Sequence, residues 1–142
     1  MFTGVQVLSA RAHRDLPQQG DLIEHAYLRW LERGDVVASV TDEAPWYDVG
    51  VSLAHYLAAN LALARGEVRW PGIAAGPHAT LVAPGAHVDQ GAVLHEAVIG
   101  PGARIGHGAR LTRCVLWPGA QVDDPLALDN AIVTSDGVVA RP

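Results

Sequence analysis

Val82–Val98 reads "VAPGAHVDQGAVLHEAV", Ile99–Val115 reads "IGPGARIGHGARLTRCV", and Leu116–Ile132 reads "LWPGAQVDDPLALDNAI". Each stretch is 17 residues long, and a partial fourth, "VTSDGVVARP", follows. Stacked under one another, they align aliphatic residues in three columns. Val82, Ile99, Leu116 and Val133 share the first position, Val88, Ile105, Val122 and Val139 the seventh, and Leu94, Leu111 and Leu128 the thirteenth. Pro84-Gly85, Pro101-Gly102 and Pro118-Gly119 also align, and Val98, Val115 and Ile132 close the units.

Aliphatic positions six apart, with one shortened step, describe a triangular coil. Each side is a short strand with one aliphatic residue inward, and Gly and Pro-Gly near the corners allow the tight bends. Stacked coils pair as parallel strands about 4.8 Å apart. A hexapeptide period is the signature of a parallel β-helix. Neither a helical protein nor an ordinary β-sandwich predicts this repeat, so residues 82–142 are expected to form three to four coils.

Residues 1–71 follow a different grammar, with a linker expected over 72–81. "FTGVQVLS" alternates like a strand, and Ser9 is placed to cap a short helix ending near Leu16-Pro17. "DLIEHAYLRWLERG" reads as a helix closed by Gly34. "DVVASV" and "WYDVG" read as two more strands. Ser52 caps a strong helix, "LAHYLAANLALARG", which Gly66 closes. The expected order is β-α-β-β-α.

The bulk composition limits the functional classes. The 142 residues carry a formal charge of −5 with no Lys/Arg cluster, which argues against nucleic acid or an anionic membrane as partner. No apolar run approaches the ~20 residues of a membrane span, and the N-terminus lacks the pattern of a signal peptide. The single cysteine, Cys114, permits no internal disulfide, so a cytoplasmic location is expected.

The repeat resembles the left-handed hexapeptide β-helix family, which includes acyltransferases and the C-terminal domains of sugar nucleotidyltransferases. Three motifs of the first half, in order, are "TGVQVLS", "WYDVG" and "YLAANLALARG". They resemble the C-terminal part of an NDP-sugar pyrophosphorylase catalytic domain of the mannose-1-phosphate guanylyltransferase-like kind. That family joins a nucleoside triphosphate and a sugar 1-phosphate to give an NDP-sugar and pyrophosphate. The resemblance implies that Asp48, the Asp of W-x-D-x-G, helps hold a catalytic magnesium, and that Thr3 and Gly4 lie near the sugar pocket. Magnesium suits such a carboxylate because it prefers hard oxygen ligands and neutralises phosphate charge during transfer.

The chain departs from that family in two places. Val51 replaces the Thr that usually follows D-[IVT]-G. The Gly-rich loop whose backbone N–H groups hold nucleotide phosphates is missing, as are the base-recognition region and the central metal-sharing Asp. No catalytic residue is therefore assigned. Magnesium is expected only if a nucleotide-binding half completes the site, and the chain alone is expected not to turn over. The expected partners are a sugar phosphate and nucleotide, together with a second copy of the chain or the missing N-terminal half.

Two alternatives stand beside this reading. One is a non-catalytic oligomerisation or regulatory module, or a split-enzyme subunit. The other is a hexapeptide acyltransferase, which would need a catalytic His in a groove between coils. Among the remaining candidates, His87 and His107 read as exposed turn residues. His78 and His95 would stack with Thr112 and Asp129 if the coil begins before Val82. Cys114 reads as a small packed residue. Asp123, Asp124 and Asp129 read as a solvated acidic face. Trp30, Trp70 and Trp117 read as core or interface, with "RWPG" packing the coil against the α/β part.

Overall fold

A computed structural model describes residues 5–41, 43–74 and 76–142. The chain divides into two compact units, residues 1–43 and 44–142.

The first unit holds a short helix, α1 (Ala10–Arg14), and a π-helical turn (Ile23–Tyr27) that runs into α2 (Leu28–Glu32). Ser9 caps α1 by accepting from the Ala12 N–H at 3.1 Å, as its position implied. At the other end of the pair, Gly34 adopts φ 80° and the Asp35 N–H reaches back to the Trp30 carbonyl at 2.9 Å. This closes α2 in the Schellman manner. Ala26 and Trp30 are buried, and Asp15 accepts from both the Trp30 indole N–H (2.7 Å) and Arg33 (2.6 Å).

Among the described residues, the three strands expected upstream of the repeat do not form. No strand is assigned across residues 5–9, 35–40 or 46–50. Val7, Val36 and Val40 are each more than 90% exposed. Alternating valines supply one apolar face, but a strand also needs a neighbour to take up its N–H and C=O groups. No described strand lies beside these segments.

The second unit is a solenoid with one long helix, α3 (Leu53–Arg65). Ser52 caps α3 through the His55 N–H at 3.2 Å, and Gly66, at φ 75°, ends it. The coil strands are β1 (Leu81–Val82), β2 (His87–Val88), β3 (Val93–Ile99), β4 (Arg104–Ile105), β5 (Arg110–Leu116), β6 (Gln121–Val122), β7 (Ala127–Val133) and β8 (Val139–Ala140). They form two sheets, ordered β1-β3-β5-β7-β8 and β2-β4-β6.

The register matches the columns read in the sequence. Val82 pairs with Ile99 and Ile99 with Leu116, while Leu94 pairs with Leu111 and Ile105 with Val122, all in parallel. The large inward side chains sit with small ones in one buried cluster, with Ala97, Cys114 and Ala131 filling the narrow corner. Among the described residues no strand stacks on the outer side of the first coil, and Val82 and Val88 stay partly exposed.

Two details depart from expectation. The seven-residue strands β3, β5 and β7 each bend at a left-handed residue that is not glycine, namely Glu96, Arg113 and Asn130 at φ 50–51°, and Ala79 precedes them in the same column. The fourth coil does not continue. The Asp136-Gly137 turn sends β8 back antiparallel over β7, pairing Val139 with Val133 instead of stacking it on Val122. An Asp-Gly turn favours a hairpin, whereas the earlier units place Pro-Gly at their bends.

Helix α3 explains the outward-facing aliphatic column. Leu57 and Leu61 form a buried cluster with Val115 and Ile132, flanked by Val98 and Tyr56. One side of the triangle is therefore roofed by the helix, and two sides remain open.

Candidate functional site

The open side formed by β2, β4 and β6 carries a polar groove of about 690 Å³. Its geometry follows from strand alternation. Val88, Ile105 and Val122 point inward, so the residues on either side of each point outward. One outward column is His87, Arg104 and Gln121, in parallel register. The other is Asp89, Gly106 and Asp123, all lining the groove with the first.

At the corner, His107 leans back over the previous coil, and its Nδ1 lies 2.8 Å from Asp89 Oδ1. Asp89 also accepts the Gly91 N–H at 3.0 Å. The Gly91 N–H first, and His107 after it, hold the Asp89 carboxyl below the usual carboxylate range. A Cβ at Gly91 would lie 2.3 Å from the His107 ring, so a side chain there would push the imidazole off Asp89. Asp124 repeats the manoeuvre one coil later, laying its carboxylate over Gly106.

With its proton on Nδ1, His107 donates to Asp89 and leaves Nε2 free to accept a proton. Both side chains are open to water, so the groove suits recognition of polar or charged groups better than a reaction that must exclude solvent. His107 is an exposed corner residue, as its place in the repeat implies. Its link to Asp89, 18 positions away, depends on coil stacking and has no local signature.

The other predicted site residues are scattered. Thr3 and Gly4 lie outside the described residues. Asp48 is exposed, and its Oδ1 caps the Gly50 N–H at 3.1 Å. One exposed carboxylate engaged in a turn does not fit a magnesium site by itself. Among the described residues no group of three His, Cys, Asp or Glu is placed to hold a metal. The His78 and His95 rings are neighbours, with centroids 6.5 Å apart and planes tilted by 38°, and Thr112 and Asp129 continue the column. Cys114 is buried, with its thiol pushed up by burial and donating to the Thr112 carbonyl. Trp30 belongs to the first unit's core, Trp117 meets Tyr56 edge-on at 6.4 Å, and Trp70 is 63% exposed and so packs against little.

Residues 73–141 match the model of a protein family described as GlmU-like, C-terminal hexapeptide. The solenoid is a left-handed hexapeptide β-helix of about three turns. The match covers the β-helix and stops short of α3, which packs on it. No curated protein matches the chain. No helix among the described residues is long and apolar enough to cross a membrane.

Proposed function

We propose that the chain is a non-catalytic β-helix module of the sugar-phosphate nucleotidyltransferase type, serving assembly or regulation of a protein that makes NDP-sugars. The observation that carries this reading is the docking of α3 on the β-helix. The helix with the family-like Tyr56-Leu57-Ala58-Ala59-Asn60 run buries Leu57 and Leu61 against Val115 and Ile132. Helix α3, one of the motifs that resemble a nucleotidyltransferase, thereby packs with the β-helix inside one unit.

On this reading Thr3, Gly4 and Asp48 would act only beside a nucleotide-binding half, and magnesium would be held only if that half supplied further carboxylates. The chain contributes surface and stability, and its partners are a second copy or that half. The test is pyrophosphate release from purified chain given GTP, UTP or dTTP with hexose 1-phosphates and Mg²⁺. No release above background is expected, and turnover by the chain alone would overturn the proposal.

The His107–Asp89 pair on an open groove favours a second reading, a hexapeptide acyltransferase with Nε2 of His107 as proton acceptor. Titration calorimetry with acetyl-CoA separates the two. Saturable heat supports the acyltransferase, and a flat trace supports the module.

A further inference from the structure

We propose that His78 and His95 form a two-histidine site for a late first-row divalent cation, such as zinc or copper, which fastens the turn ahead of the first coil onto β3.

The two residues lie 17 positions apart, so the coil period brings them into one column on adjacent levels. His78 sits in a 3₁₀ turn, Pro77–Ala79, and His95 in β3. Their ring centroids are 6.5 Å apart. Both residues are exposed, and neither ring has a hydrogen-bond partner among the described residues. A cation can therefore reach both rings without opening the fold. Of the other histidines, His25, His55 and His107 have a ring nitrogen engaged by Asp21, Ser52 and Asp89.

The backbone of His78 is a second observation. Left-handed residues recur down the corner column Ala79, Glu96, Arg113 and Asn130, once per coil. His78 is left-handed as well, at φ 53°, whereas His95, Thr112 and Asp129 below it are not. The coil bend does not call for this additional residue, and a histidine adopts the conformation at a cost. Local contacts hold it there. The Thr80 N–H donates to the Pro77 carbonyl at 3.1 Å, and the Thr80 hydroxyl donates to the His78 carbonyl at 3.3 Å. The His78 ring is thus held beside His95 by the turn itself.

Paired imidazoles suit copper, nickel and zinc, whereas magnesium and calcium prefer oxygen. A cation about 2.0–2.1 Å from a nitrogen of each ring requires the rings to close by about 1 Å. Exposed side chains make such adjustments readily. The surrounding charges balance. Glu96, beside His95, is held by Arg65, and Asp129, at the foot of the column, is held by Arg113. Neither carboxylate is free to close a cage, in keeping with the absence of any three-ligand group among the described residues. Water fills the remaining positions, and the two imidazoles carry the affinity.

The experiment is titration calorimetry of the full chain with zinc sulfate, where one saturable site is expected. His78→Gln and His95→Gln should each weaken binding about tenfold or more, because a single imidazole loses the effective concentration of its neighbour. His87→Gln should leave it unchanged. Circular dichroism confirms that each variant keeps its β-helix. Saturating zinc should also raise the thermal midpoint of the wild type and of neither column variant, since a cation bound across two levels stabilises only the folded chain. Removing zinc with EDTA should return the midpoint. No saturable heat, binding that survives both substitutions, or a loss confined to one of them would overturn the shared site. The site stands apart from the assembly reading, which none of these outcomes touches.

Discussion

The guanidinium of Arg65, in the last turn of α3, donates to the carboxylate of Glu96 at 2.5 Å, at the left-handed corner of the first coil. It pins the end of the roofing helix to the solenoid. Arg65 holds the Glu96 carboxyl below its ordinary 4.5. Because the folded pKa is depressed, the stability this adds is complete above the unfolded value and is lost as pH falls through the folded one. Glu96→Gln should remove that acid dependence and cost about 0.5 kcal/mol at neutral pH, less in high salt. Urea melts of both proteins from pH 7 to pH 3 check this, and parallel pH profiles would contradict it.

The roof itself is the stronger contact. Leu61 is 4% exposed and shares its cluster with Val115 and Ile132. Leu61→Ala should cost about 2–4 kcal/mol, from lost burial and the cavity left behind. Val115→Asp should be worse, because it buries an unpaired charge beneath the helix. Amide exchange across α3 should quicken in both variants while the inward columns of the coils stay protected. Unchanged α3 protection in Val115→Asp would mean that the helix is held by something other than this column.

These residues show where the sequence was legible. The inward columns repeat with one period, so Ile99, Ile105 and Leu111 could be assigned to a coil interior directly. The Val98–Val115–Ile132 column was equally regular, but regularity alone does not say what covers an outward apolar row. That depends on α3, some 40 residues upstream. The strands expected at "DVVASV" and "WYDVG" failed for the opposite reason. Their local propensity was sound, but strand formation depends on a partner that propensity does not encode. The groove lay between these cases. His107 and Asp89 were visible singly, and the coil register brings them together.

Gly100 tests how tightly the coils stack. A Cβ there would lie 2.7 Å from the Pro118 nitrogen and 2.8 Å from the Leu116 carbonyl oxygen, both backbone atoms of the next coil. Backbone cannot rotate away as a side chain can, so Gly100→Ala should cost about 1–3 kcal/mol through overpacking. The thermal midpoint of Gly100→Ala checks this, and a midpoint equal to the wild type would show that the coils can part by a few tenths of an ångström.

Cys114 gives a chemical probe of the same core. Its side chain is fully buried, and burial pushes the thiol up, so little thiolate exists to react. A thiol reagent should modify the native chain slowly and the urea-unfolded chain at once. Cys114→Ala should fold, because Ala97 and Ala131 occupy the same column above and below it. Fast modification of the native protein would show that this corner opens.

The antiparallel turn-back of β8 also has a stability role. Thr134 closes the turn from both sides: its N–H donates to the Val138 carbonyl at 3.0 Å, and its hydroxyl oxygen accepts the Val138 N–H at 3.1 Å. Gly137 sits at φ 80°, where a side chain is strained. The return places Val139 and Ala140 against Val133 and Ile132, so part of the last coil's edge is paired. An open edge in a parallel β-helix is a template for further strands. A chain ending at Val133 should therefore melt lower and scatter light on standing, while Gly137→Val should show a weaker form of both effects. If the truncated chain stays clear and melts as the wild type does, the hairpin is not what protects that end.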